Sequence, residues 1–197
     1  MKMSMLDRTL LLATGLLAAY QIVVGINDLS TAPIIAYTIA FGVLLVAGLL
    51  LIILGFDVLD APVVVIIPLA LSLGLVWEHL SAFRTPYLIF AILGFLAVAL
   101  TRTIPMQNKL PTVAIVVVHG IAGLTIFLLP IVIAVQGIVR PAFALVGVGG
   151  ALIGLGGLLL SFLKAGRPIL SRETIFKVLP GLLLLMTACF VAGFKYG

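Results

Sequence analysis

Seven apolar runs follow one another along the chain, separated by short polar breaks, at about 10–25, 33–56, 62–80, 87–101, 112–135, 142–163 and 175–194. Each is long enough, or nearly so, to cross the hydrocarbon core of a bilayer as a helix. The runs are unbroken and do not alternate, which predicts helices and argues against a transmembrane barrel, whose strands alternate over about ten residues. The fold class expected is therefore all-α, a polytopic transmembrane bundle of seven helices forming one membrane domain. The fourth run is the weakest, because Arg84 and Arg102 bracket it and leave it close to the minimum length.

Composition agrees with this pattern. The chain has 197 residues, 64% of them hydrophobic and 9% charged, where a soluble domain carries about a quarter charged residues. Seven apolar helices with no amphipathic partners to cover them do not make a soluble core. Met1 to Arg8 followed by an apolar run has the outline of a signal peptide. Tyr20 and Gln21, however, occupy the place of a small-residue cleavage site, so a retained first helix is expected.

The net charge of +5 would suit a nucleic-acid binder if its basic residues formed a recognition surface, but they flank the spans. With the N-terminus in the cytoplasm, the inner segments hold Lys2, Arg8, Arg102, Lys109, Lys164, Arg167, Arg172 and Lys177, and the outer ones only Arg84, Arg140 and Lys195. That bias predicts a cytoplasmic N-terminus, with the C-terminus on the opposite side. The basic segment from Lys164 to Lys177 reads first as a topology signal touching anionic headgroups, and second as a dock for an acidic partner. The polar loop from Thr101 to Pro111, with Pro105, Gln107 and Asn108, needs no site to explain it. Cys189 is the single cysteine, so no internal disulfide or thiolate metal site is available.

Helix packing is written most plainly in the sixth run. Gly147, Gly150, Gly154, Gly157 and Ser161 recur at spacings of three and four, lining one face on which another backbone can approach closely. An intramolecular contact is the first reading, and a contact with another subunit or room for a flat cofactor or lipid tail the alternatives. Pro68, Pro130 and Pro180 lie inside spans, where they shape helices or frame a cavity. A faint duplication is also visible. Pro33 through Gly42 resembles Pro141 through Gly150, and Pro68 sits in the third run as Pro180 does in the seventh. Such a repeat would be parallel, although low-complexity apolar sequence produces similar matches by chance.

His119 is the strongest candidate for chemistry. An imidazole about two turns into the fifth span needs a hydrogen-bond partner, a water or a metal, and Gly120 and Gly123 beside it would admit a planar ligand. A structural histidine is the plain reading; ligation of a metal or haem b, or contact with a quinone headgroup, are the functional ones. Gln21, toward the outer end of the first span, reads as interhelical glue or a contact to a quinone carbonyl. His79, beside Trp77 and Glu78, reads as an interfacial anchor. It ends the third span on the outer side, at a depth that keeps it from sharing a haem with His119. Glu78 and Arg84 are expected to pair at the interface. Asp57 and Asp60 form an acidic turn, too poor in oxygen ligands for calcium. Asn27 and Asp28 read as turn formers, and Gln136 as solvated.

No acid–base pair falls in the middle of any span, and no nucleophile triad, Walker loop or dinucleotide fingerprint is present. The function expected is a small non-catalytic structural or accessory subunit of a larger, energy-transducing membrane complex such as a respiratory or electron-transport assembly. Its expected partners are membrane lipids and other transmembrane subunits, with no nucleic acid, and its location the cell membrane or another energy-transducing membrane. The alternatives are a haem- or quinone-binding electron-transfer subunit and a carrier for a small apolar or weakly polar solute.

Overall fold

The computed structural model describes residues 3–26, 29–56, 63–104, 110–164 and 168–197, with the side chains of 63, 64, 102, 161, 162 and 164 outside the description. Seven α-helices run along it: α1 Met5–Val24, α2 Thr31–Leu54, α3 Val63–His79, α4 Arg84–Thr103, α5 Leu110–Val135, α6 Ala144–Lys164 and α7 Arg172–Tyr196. No strand occurs among the described residues. Six helices are long and apolar enough to cross a membrane, and α3 is a shorter apolar helix. The arrangement is compatible with a multi-pass helical membrane bundle. Asn27, Asp28, Asp57 and Asp60 lie outside the described residues, as do the loop residues Pro105, Gln107 and Asn108 and the cations Lys2, Lys109 and Arg167.

Helix starts and stops follow local chemistry. α1 begins five residues before the expected span because Ser4 and Asp7 form a capping box: the Asp7 amide donates to Ser4 Oγ at 3.1 Å, and the Ser4 amide donates to Asp7 Oδ2 at 2.8 Å. Ser171 does the same work for α7, its Oγ accepting from the Thr174 amide. At their far ends α1 and α2 stop at Gly25 (φ +68°) and Gly55 (φ +79°), a backbone conformation that a side chain disfavours. The fourth run proves a full 20-residue helix, since both arginines fall inside α4 and not beyond it. The Arg84 Nε turns back to donate to the Trp77 carbonyl at 2.6 Å, so no ion pair joins it to Glu78 among the described residues.

Contacts between helices close a ring in the order α1, α2, α3, α5, α6, α7 and back to α1, while α4 sits outside against α3 and α5. Lys195 Nζ donates to the Tyr20 hydroxyl at 2.9 Å where α1 and α7 end side by side. The two helices are therefore parallel, and the start of α1 and the end of α7 lie at opposite ends of the bundle. α4 is the least buried of the six long spans.

The ring has an internal order. Replacing α1, α2 and α3 by α5, α6 and α7 carries every ring contact onto another ring contact, with α4 as the unmatched linker. Both triplets run in the same direction.

α6 is packed through glycines on two faces. A Cβ on Gly147 would lie 2.6 Å from the Phe127 carbonyl, and one on Gly150 would lie 2.8 Å from the backbone of Ile126 and Phe127, so α5 approaches almost backbone to backbone. On the other face Gly149 receives the Phe190 ring of α7. Antiparallel register places Gly154 opposite Gly123, and a Cβ on either would meet nothing within 4 Å. The tight point of the expected stripe is therefore Gly147 and Gly150, with a gap at Gly154; the Ser161 side chain lies outside the description.

Candidate functional site

The end of the ring at which α2 and α6 begin is filled by aromatic rings. Phe194 packs on Tyr37 at 4.7 Å, on Phe143 at 5.9 Å and on Phe41 at 6.2 Å between centroids, and Phe190 is fully buried beside them. Close packing here depends on Gly74, whose missing Cβ leaves room for the Tyr37 ring. Toward the other end the ring axis opens into a cavity of about 90 Å³.

All six ring helices contribute to this cavity, and among the described residues α4 does not. α2 supplies Leu44, Ala47, Gly48 and Leu51, and α6 supplies Ile153, Gly156, Gly157 and Leu160, the same i, i+3, i+4, i+7 spacing on both. Gly48 and Gly157 occupy the same place in the two stripes. The register is one residue removed from that suggested by Pro33 and Pro141. α1 and α5 supply the two polar groups, Thr14 and His119; Ile67 of α3 and four apolar residues of α7 complete the wall.

His119 is the tenth residue of α5, about 13 Å from its start at 1.5 Å per residue. Both ring nitrogens are buried. Nε2 abuts α6, 2.7 Å from where a Cβ on Gly157 would sit. Glycine at 157 thus makes the room that the imidazole uses. The Thr14 hydroxyl donates to the Leu10 carbonyl at 2.9 Å, a bond within its own helix.

The other expected site residues lie elsewhere. Gly120 and Gly123 do not line the cavity, and Gly120 is exposed. Gln21 is buried at the opposite end of α1, where Nε2 donates to the Gly25 carbonyl at 2.9 Å and the side chain borders a second cavity of about 60 Å³ with Tyr37 and Phe41. That bond closes its own helix end, and the side chain faces α2 across the cavity. Its hydrogen bond lies far from His119. The His79 ring packs edge-on against Phe143 at 5.3 Å. Phe143 and Gly157 are separated by most of α6, about 20 Å, so the two imidazoles hold different depths. None of the three intrahelical prolines lines the cavity, although Ile67 and Leu179 beside Pro68 and Pro180 do.

These dimensions limit what can sit beside His119. A void of about 150 Å³ accepts one benzene; at about 90 Å³ this cavity gives neither a haem macrocycle nor a quinone ring room. No group of three His, Cys, Asp or Glu side chains suited to a metal occurs among the described residues. Unfilled, a cavity of this volume would cost about 2 kcal/mol at roughly 24 cal/mol per Å³.

Sequence reasoning missed Thr14 and the α2 stripe. A mid-span threonine that bonds its own helix carries little signal, and the α2 stripe is spelled in residues that α2 also presents to lipid. The chain matches no family model, no curated protein and no solved structure.

Proposed function

We propose that the chain is a non-catalytic, multi-pass membrane subunit that works by packing inside a larger membrane assembly, in the cell membrane or another energy-transducing membrane. The observation that carries this reading is the placement of ionisable groups. Asp7, Arg8, Arg172, Glu173 and Lys177 sit at one end of the bundle, and Glu78, Arg84, Arg140 and Lys195 at the other. Between these ends the buried polar groups are hydroxyls, an amide and one imidazole. Acid–base or ion-coupled chemistry needs paired charges at one depth, and the described interior supplies none. The charge bias along the sequence supports a cytoplasmic N-terminus. Extraction in mild detergent followed by mass measurement of the intact particle tests the proposal: a complex with other transmembrane chains is expected, and a stable monomer with complete activity of its own would overturn it.

A second reading, a carrier for a small apolar solute, is favoured by the apolar cavity that all six ring helices line. Flux of such a solute in proteoliposomes, abolished by Ala47→Leu, would favour it over the first. Retention of flux in that variant would remove it.

A further inference from the structure

We propose that the second cavity, between the end of α1 and the start of α2, is a binding site for ordered water that bridges the two helices. The site stands whether or not the chain works inside an assembly.

One polar group comes from α1. Gln21 is 5% exposed and lines this cavity. Its Nε2 donates to the Gly25 carbonyl, while its Oε1 accepts no hydrogen bond from the described residues. An amide oxygen in so buried a residue is costly unless a donor reaches it.

The second comes from α2. Beyond the first turn of a helix a threonine hydroxyl commonly donates to the carbonyl four residues back, and Thr9, Thr14, Thr101, Thr103, Thr125 and Thr187 all do so. Thr38, the eighth residue of α2, makes no hydrogen bond among the described residues, and it lines the same cavity as Gln21. Tyr37 is the third polar member of the wall, and its hydroxyl likewise makes no hydrogen bond among the described residues.

This wall selects water. A buried water needs two to four polar partners and roughly 10–15 Å³; the cavity offers three polar side chains and about 60 Å³. Hydrocarbon could not donate to the Gln21 oxygen, and a cation would find no carboxylate in the described lining. Water can donate to Gln21 Oε1 and accept from the Thr38 hydroxyl at once, which is nearly as favourable as a direct bond. Gly25, exposed on the rim, leaves an approach from the end of the bundle. No direct side-chain hydrogen bond joins α1 to α2 among the described residues, so the water supplies the interhelical link that the glutamine suggests in sequence.

Water-edited solid-state NMR of the isotopically labelled full chain in phosphatidylcholine vesicles tests this. Magnetisation from water is expected to reach the Gln21 side-chain amide several-fold faster than Thr14, which is buried on the same helix. Thr38→Val, which keeps the shape and removes the hydroxyl, is expected to slow transfer to Gln21 several-fold, while Thr103→Val at the end of α4 leaves it unchanged. Should Thr38→Val fail to fold by circular dichroism, Gln21→Met serves in its place, with transfer to Thr38 slowed. Transfer to Gln21 no faster than to Thr14, or arriving from lipid acyl protons, would overturn the water assignment. Unchanged transfer to Gln21 in folded Thr38→Val would overturn the bridge.

Discussion

Replacing Gly150 and Gly154 by alanine, one at a time, separates the two halves of a glycine stripe that looks uniform in sequence. On Gly150 the added methyl would stand 2.8 Å from the Ile126 carbonyl carbon and the Phe127 nitrogen. Ordinary contact begins near 3.4 Å, so α5 and α6 would have to part by about 0.6 Å, and because the obstacle is backbone no rotamer change relieves it. Overpacking of this kind costs about 1–3 kcal/mol. On Gly154 the same methyl meets nothing within 4 Å. Both variants gain about the same helix propensity, up to about 1 kcal/mol, which cancels in the comparison. Gly150→Ala is therefore expected to be less stable than Gly154→Ala by about 1–3 kcal/mol. Equilibrium unfolding in mixed dodecyl maltoside and dodecyl sulfate micelles, followed by far-ultraviolet circular dichroism, measures the difference. Equal stabilities, or the reverse order, would refute the assigned face.

Ser4→Ala removes the capping box of α1 and is expected to cost about 1 kcal/mol, measured by the same unfolding assay, with the first turn losing amide-exchange protection. Tyr87→Phe deletes the 3.3 Å hydrogen bond to the Thr125 hydroxyl that ties α4 to α5; polar contacts of this kind between membrane helices average about 0.6 kcal/mol, so a loss above about 2 kcal/mol would show that α4 is held differently. Gln21→Ala is expected to cost about 1 kcal/mol by leaving the Gly25 carbonyl without its donor, without altering the particle mass in detergent.

Hydropathy located all seven helices because each is an apolar run with little interruption, and it missed their ends where capping, not apolarity, sets the boundary. Ser4 with Asp7, and Ser171 with Thr174, extend α1 and α7 beyond their apolar runs. α4 looked short because two arginines bracket it. A long arginine stem lets its head return to a polar group while the Cα stays helical, as Arg84 does with the Trp77 carbonyl. What the sequence could not disclose is which side of a helix faces which neighbour. α2 is hydrophobic all round, so nothing in its pattern separates Leu44 and Leu51, which face the axis, from the exposed Val46 and Leu49. Glycine spacing carried more information, since it identified the α6 face that meets α5. It could not show that Gly149 and Gly156 form a second face toward α7, or that Gly123 stands opposite Gly154 and loosens the seam there. His119 was legible as the one imidazole deep in a span; its seat against Gly157 was not, because that depends on the antiparallel register of two helices.

The ring of six helices encloses a buried apolar core. A membrane-soluble carbene reagent, photolysed with the purified native chain in phospholipid vesicles and mapped residue by residue by mass spectrometry, tests that most directly. Labelling is expected at the outward-facing Leu93, Leu124 and Leu158 and absent at Leu71, Ile126 and Val146 within the ring. Labelling of the inner three as strong as that of the outer three would contradict the ring.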